Sequence, residues 1–386
     1  MALFETPSKS PVERVGAASG RVASAPGTWV LIGENVDHFG GVTLAGTASL
    51  RAAAAVSPRT DGVISIAARG PLGQEFSAQL PYNDEPADGL ARRWWGLVHT
   101  LVQRQVLSRD TSGMDITVES DVPVGAGLGA LYAADAAIAL ALAGEHDDVD
   151  TAPFRARLAE ICSRAVATYS SQPVLRARHS VALRGADGVS VVDYADGSLT
   201  QAPHPSRHGV RVFSVSKELG APFTQSREAI AERRAFIDAA CSNFGVSSLR
   251  QLPDAPSRAV QWVEARRAAG DSNAPEPEAA RRWVQFCESE TLRSLAAAKA
   301  LRSRRANELF TLLNSPSESH DLASPDALVA LARKRGAVAA RPAAIGTSDA
   351  VIAFVPVQEA DSFAAAMARE FEVVEVAAGE PARLEG

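Results

Sequence analysis

The apolar positions of this chain change period several times, and the changes mark out its elements. Residues 28–32 form a short continuous apolar run that stops at Gly33, and residues 42–56 alternate weakly between Gly41 and Pro58; both predict strands. A further strand is predicted at 63–66, where Asp61-Gly62 supplies a hairpin signal. Residues 90–105 shift to helical spacing, and 114–118 return to a strand. After the glycine-rich turn at 121–129 comes an alanine- and leucine-rich helix at 130–143, then a helix at 154–169 and a strand at 189–192. Beyond residue 208, strands at 210–215, 350–355 and 372–376 bracket helices at about 225–244, 255–270, 277–300, 303–314, 324–335 and 358–370. Strand–helix mixing in both halves predicts α+β domains with antiparallel sheets. The stretch 195–208, with Asp196-Gly197 and two prolines, is the expected boundary. It divides the chain into residues 1–204 and 205–386.

Length agrees with that division, since 386 residues exceed one compact core and suit two. The hydrophobic share is 46% and the charged share 22%, as in ordinary globular chains. A net charge of −6 with no long basic block argues against nucleic acid or an anionic membrane as partner. The basic residues are lopsided: Lys9, Lys217, Lys299 and Lys334 are the lysines among 39 basic residues, and the rest are arginine. No lysine follows a G-x-x-x-x-G run, which excludes the P-loop way of holding phosphates. Three cysteines, at 162, 241 and 287, make neither a disulfide framework nor C-x-x-C zinc spacing, and no apolar run reaches membrane-spanning length. The expectation is a cytoplasmic protein.

A strand, the turn Gly125-Ala126-Gly127-Leu128-Gly129 and then a helix can hold an anion, because glycine lets the backbone approach and the first helical N–H groups face the ligand. Taken alone, such turns are more often only tight turns. A second segment changes the reading. Residues 25–41, A-P-G-T-W-V-L-I-G-E-N-V-D-H-F-G-G, resemble the galactokinase signature A-P-G-R-V-N-L-I-G-E-H-T-D-Y-N-G-G, and V-P-V-G-A-G-L at 122–128 resembles the same family's V-P-x-G-A-G-L-S-S-S-A-S. The wider group is the GHMP small-molecule kinases. Arg93-Trp94, Glu232-Arg233-Arg234, Leu312-Leu313-Asn314 and Ser324-Pro325-Asp326 match further family motifs in the family's order. The resemblance implies a two-domain GHMP fold with a ribosomal-S5-like N-terminal sheet, a cleft between the domains, and phosphoryl transfer from ATP to the sugar's anomeric hydroxyl.

The departures from the family fall on the chemistry. That reaction needs a carboxylate near the hydroxyl, an arginine on the developing charge and Mg²⁺ bridging phosphates. Thr28 stands at the family's arginine, and an ungapped match from Cys162 to Gly185 puts Arg178 at its aspartate and His179 at its glutamine. An arginine is no base near neutral pH. Val166 stands at one magnesium ligand, and the serines after G-A-G-L become Gly129, Ala130 and Leu131, so Mg²⁺ is not expected to bind well. Residues 343–348 keep one glycine of the third motif, and Ile230 replaces a tyrosine near the sugar. Each lost part would cost about 10²–10⁴ in rate, though not additively.

The resemblance therefore implies a galactokinase-like pseudokinase that binds sugar or nucleotide. An active sugar kinase with compensating residues and a structural or partner-binding relic stay open. Glu34, Asn35 and Asp37 are the candidate sugar ligands, with loop-stabilising roles as the alternative. Trp94, Gly125, Gly127 and Gly129 are the candidate nucleotide ligands, for ATP, although a tryptophan at helical spacing is more often core. Arg178 is expected either to pair with Glu34 or Asp37 and fill the sugar site, or to face water. His204 and His208 are expected to be exposed in a linker, and the Arg302–Arg305 stretch to be a solvated helix face. No protein partner is implied.

Overall fold

The computed structural model describes residues 4–16, 20–220, 226–316 and 322–386. The first half runs α1 (Pro11–Val15), β1 (Arg21–Ile32), β2 (Val42–Pro58), β3 (Val63–Arg69), β4 (Glu75–Pro81), α2 (Gly89–Gln103), β5 (Met114–Ser120), α3 (Ala130–Ala143), α4 (Ala152–Tyr169), α5 (Arg176–Arg184), β6 (Val189–Asp193) and β7 (Ser198–Ala202). The second half runs β8 (Val210–Ser216), α6 (Arg227–Phe244), α7 (Ala255–Ala268), α8 (Pro277–Arg302), α9 (Ala306–Asn314), α10 (Asp326–Lys334), β9 (Ala339–Pro342), β10 (Val351–Pro356), α11 (Ala360–Met367), β11 (Glu372–Glu375) and β12 (Arg383–Glu385). The architecture is α+β, as expected, with two sheets.

The first sheet is organised by the 17-residue β2, which pairs antiparallel with β1 along its length. Its second half, residues 52–58, pairs with β5, and its first five residues pair with β6. The order is β12-β1-β2-β5-β3-β4, with β7 beside β6. One expectation is corrected: β3 and β5 run parallel, because the chain crosses over through β4 and α2 before entering β5. Small residues explain the close layer above this sheet. Ala52–Ala54 of β2 and Ala133, Ala136, Ala137 and Ala139 of α3 are buried, and α3 lies directly across β1 and β2. Side chains of one carbon let the helix approach without voids.

The second sheet, β11-β8-β10-β9, is antiparallel throughout. It packs Phe213, Val215 and Phe354 between helices and the first half of the molecule. The stretch 195–208 is not only a linker, since it contains β7, which pairs with β6 through residues 189–193. The largest core joins residues from both sides of position 204, and β12 returns to pair with β1. Among the described residues, no helix is long and apolar enough to cross a membrane.

Candidate ligand cleft

The glycine-rich turn lies between β5 and α3 and has the geometry its composition predicts. Gly125, Gly127 and Gly129 hold φ of 92°, 67° and 67°, left-handed values that favour glycine. Gly129 is the N-cap of α3, so the turn feeds straight into a helix N-terminus. Together with Ala130, Leu131, Thr347 and Ser348 these glycines line a cavity of about 110 Å³. Arg93 and Arg178 also line it, and no Asp or Glu is among the described lining residues.

Arg178 corrects both expectations made for it. It neither faces water nor pairs with Glu34 or Asp37. It is 2% exposed, in the first turn of α5. Its Nη1 donates to the Thr28 carbonyl, with Thr28 Oγ1 at 3.5 Å, and its Nη2 donates to the Gly127 carbonyl at 2.9 Å. Backbone carbonyls, not carboxylates, therefore hold the guanidinium, and burial lowers its pKa, opposed by Tyr132 and Glu34. Tyr132 fixes the approach: its hydroxyl donates to Pro173 O and accepts from Leu175 N, which pins the start of α5. Its ring also lies 5.9 Å from the Arg178 guanidinium carbon.

Behind this cavity is a buried polar network that sequence reasoning missed. Asp135, 1% exposed, accepts from Arg93 Nε at 2.9 Å and Arg93 Nη2 at 2.5 Å. It also accepts from Trp94 Nε1 at 3.0 Å and lies 3.0 Å from His179 Nε2. His179 Nδ1 in turn lies 3.1 Å from Ser163 Oγ. Burial raises the Asp135 pKa, but Arg93 and His179 outweigh it and bring it down to about 2. This network explains Trp94, which is 1% exposed and turns its N–H inward to Asp135 instead of lining the cavity. Val166 is likewise buried, on the packed side of α4, whereas Ala130 and Leu131 line the cavity.

The candidate sugar residues follow β1. Glu34 and Asp37 are 2% and 7% exposed, and Asn35 holds φ of 59°. Arginines from distant parts of the chain hold the carboxylates: Arg234 Nη2 lies 3.3 Å from Asp37 Oδ1, and Arg341 Nη2 lies 3.8 Å from Glu34 Oε2. Arg341 makes its closer contact, 2.9 Å, with Glu290. Burial, with the Glu290 charge added and Arg341 opposing, raises the Glu34 pKa to about 7. Burial raises Asp37 too, but Arg234 and His38 outweigh it, so Asp37 lies below the usual carboxylate range. Among the described residues, both Glu34 oxygens, Asn35 Oδ1 and Asp37 Oδ2 are buried and accept no hydrogen bond. Beside them is a cavity of about 10 Å³ lined by Asn35, Ile230, Arg234 and Leu322, room for a single water. Arg341, Glu290 and Asp135 carried no local signal in the sequence. Asp135 and Arg341 are single charged residues in alanine-rich stretches, and Glu290 is one of several charged residues on a polar helix segment.

The galactokinase galactose-binding signature matches residues 12–58, the segment that carries Thr28, Glu34, Asn35 and Asp37. The chain is 27% identical over 293 residues to the galactokinase of Streptomyces coelicolor, covering 74% of this chain and 73% of that one. It is 28% identical over 348 residues to the galactokinase of Mycobacterium tuberculosis, covering 87% and 89%. Its fold is similar to that of Lactococcus lactis galactokinase solved with galactose, with a TM-score of 0.75, 16% identity and coverage of 96% and 97%. It is also similar to Methanococcus jannaschii mevalonate kinase, with a TM-score of 0.54, 12% identity and coverage of 96% and 100%. The fold is thus that of the GHMP kinases.

Proposed function

For a chain that groups with the galactokinases by signature, by relatives and by fold, we propose a non-catalytic role: a pseudokinase that binds nucleotide at the glycine-rich turn without Mg²⁺. The carrying observation is that three departures form one unit. A Cβ on Gly129 would come within 2.8 Å of Arg178 Nη1 and 2.9 Å of Thr28 Oγ1. The family's serine at 129 is incompatible with Arg178 in this place, and the family's arginine at 28 would bring a second positive charge beside it. Thr28, Gly129 and Arg178 fit one another, which favours a built site over a decaying one.

The residues around the turn do not fit Mg²⁺, a hard cation that takes oxygen ligands, carboxylates foremost. The cavity offers two guanidinium groups and no carboxylate among its described lining residues. Arg93 is committed to Asp135, so the Arg178 guanidinium and the backbone N–H groups of the turn are the donors that suit phosphate oxygens directly. On the sugar side, four buried acceptor atoms with no donor among the described residues suit ligand hydroxyls. The 10 Å³ cavity there requires Ile230 or Leu322 to move before a sugar enters.

One observation favours a second reading, an active sugar kinase. Glu34 is a buried carboxyl with a pKa raised to about 7, the range in which a carboxylate works as general base. Turnover separates the two. We expect ATP with Mg²⁺ and a panel of hexoses and pentoses to give no ADP above background, while ADP binds in EDTA. Turnover near 1 s⁻¹, about the low end for such enzymes, would sink the pseudokinase reading.

A further inference from the structure

Two segments with no role in the cleft meet elsewhere in the fold. His204 and Arg207 lie on the crossing from β7 to β8, and Arg304 lies in the turn from α8 to α9, almost a hundred residues later. With Asp187, Gln201, Ser206 and Ala378 they line an open groove of about 1060 Å³ that shares no residue with the glycine-turn cavity. The groove contains both passages of the chain between the two sheets. Residues 203–209 lead from β7 out to β8, and Ala378 lies on the return from β11 to β12.

Positive charge outweighs negative in this groove. Arg207 and Arg304 are exposed and make no ion pair among the described residues, and Asp187 is the one carboxylate among the lining residues described. His204, expected to be exposed, is 6% exposed. Its Nδ1 accepts from the Ser206 N–H at 3.2 Å, so in the neutral ring the proton is on Nε2, which has no hydrogen-bond partner among the described residues. Burial lowers its pKa to about 4, with Asp187 opposing, and the ring stays a neutral donor at pH 7. The Trp29 ring meets the His204 ring edge to face at 5.6 Å, and Trp29 Nε1 is also without an acceptor. Arg304 is held at φ 55°, where glycine would be favoured, and its charge helps to keep His208 low. Arg302 closes the wall by donating to Gln201 O at 3.1 Å and to Thr200 Oγ1 at 2.7 Å.

We propose that this groove is a second binding site, separate from the cleft, for a phosphorylated small molecule. Arg207 and Arg304 clamp its phosphate groups and His204 donates to it. A ligand there touches both chain passages between the sheets, so it bears on how the two sheets are set against each other.

Titration calorimetry with sodium pyrophosphate in EDTA tests the site on the full chain. Three proteins are compared: the unmodified chain, Arg178→Ala, which removes the cleft's own phosphate contact, and Arg178→Ala/Arg207→Ala/Arg304→Ala. Arg207 and Arg304 are exposed, so the triple variant is expected to keep the circular dichroism and Tm of Arg178→Ala. Saturable binding should persist in Arg178→Ala, and its affinity should fall by about tenfold or more in the triple variant, as for loss of charge-assisted hydrogen bonds. His204→Phe, a second and independent change made in the Arg178→Ala chain, should also weaken binding. No saturable binding by Arg178→Ala or by the unmodified chain, or equal affinity in Arg178→Ala and the triple variant, would each overturn the proposal.

Discussion

Arg178 Nη1 occupies the space that a side chain on Gly129 would need, at 2.8 Å from an ideal Cβ there. The two residues are 49 positions apart, and the space that glycine leaves open is filled by the guanidinium. Gly129→Ser meets this clash and a left-handed backbone together, and a loss of roughly 2–4 kcal/mol is expected. In an Arg178→Ala background the guanidinium contact is gone while the 2.9 Å approach to Thr28 Oγ1 and the left-handed backbone stay, so the same substitution should cost about 1 kcal/mol less. A double-mutant cycle by urea denaturation measures the difference. Additivity within about 0.5 kcal/mol would show that the two sites are independent.

The charge at the turn should make nucleotide binding indifferent to metal. ADP affinity is expected to match in Mg²⁺ and in EDTA, and Arg178→Ala should weaken it by about ten- to a hundredfold, the worth of a charged hydrogen bond. Fluorescence of the native tryptophans or calorimetry reads this. Affinity that rises strongly with Mg²⁺ would contradict the site as described.

Glu34 gives a pH dependence of unusual sign for a carboxylate. Its pKa is raised in the folded state to about 7 by burial. The folded state therefore binds the proton more tightly than the unfolded one, and the stabilising effect is present at low pH and lost as pH rises from about 4.5 through 7. Relative to Glu34→Gln, the unmodified protein should lose about 3 kcal/mol across that window. Parallel stability–pH curves for the two proteins would mean that Glu34 is solvated.

Asp135 behaves in the opposite way. Its folded pKa is held at about 2. Its stabilising effect is present above the unfolded carboxylate pKa near 4 and lost as pH falls through 2. Asp135→Ala leaves Arg93 buried without its carboxylate, and a loss of about 3–5 kcal/mol is expected at pH 7. Thermal denaturation reads this directly, and a change in Tm of under about 2 °C, well below the shift expected for such a loss, would show that water replaces the carboxylate.

Much of this was visible in the chain itself. The long strands, the glycine-rich turn and the alanine-rich α3 followed from period and composition, and the signature residues fell on one loop after β1. What was hidden was hidden for definite reasons. α5 reads Arg-Ala-Arg-His, a polar pattern, although Arg178 and His179 are buried, because carbonyls and Asp135 satisfy them. β7 lay inside a segment rich in turn residues and β9 is a four-residue edge strand, whereas β4 carries a legible alternation, with Phe76, Ala78 and Leu80 partly buried. Arg234 and Arg341 reach Asp37 and Glu34 from about 200 and 300 residues away, and no local pattern reports such a pairing. Trp94 looked like a ligand contact until its N–H was found on Asp135.

The pairing of β12 with β1 sets an order of assembly. Residues 22–24 hydrogen-bond with residues 383–385, so one side of an early-synthesised strand stays open until nearly all of this chain has left the ribosome. Until then β1 presents unpaired amides and carbonyls on that edge, a template for another nascent chain. The N-terminal half thus reaches its finished state last, although its residues are made first.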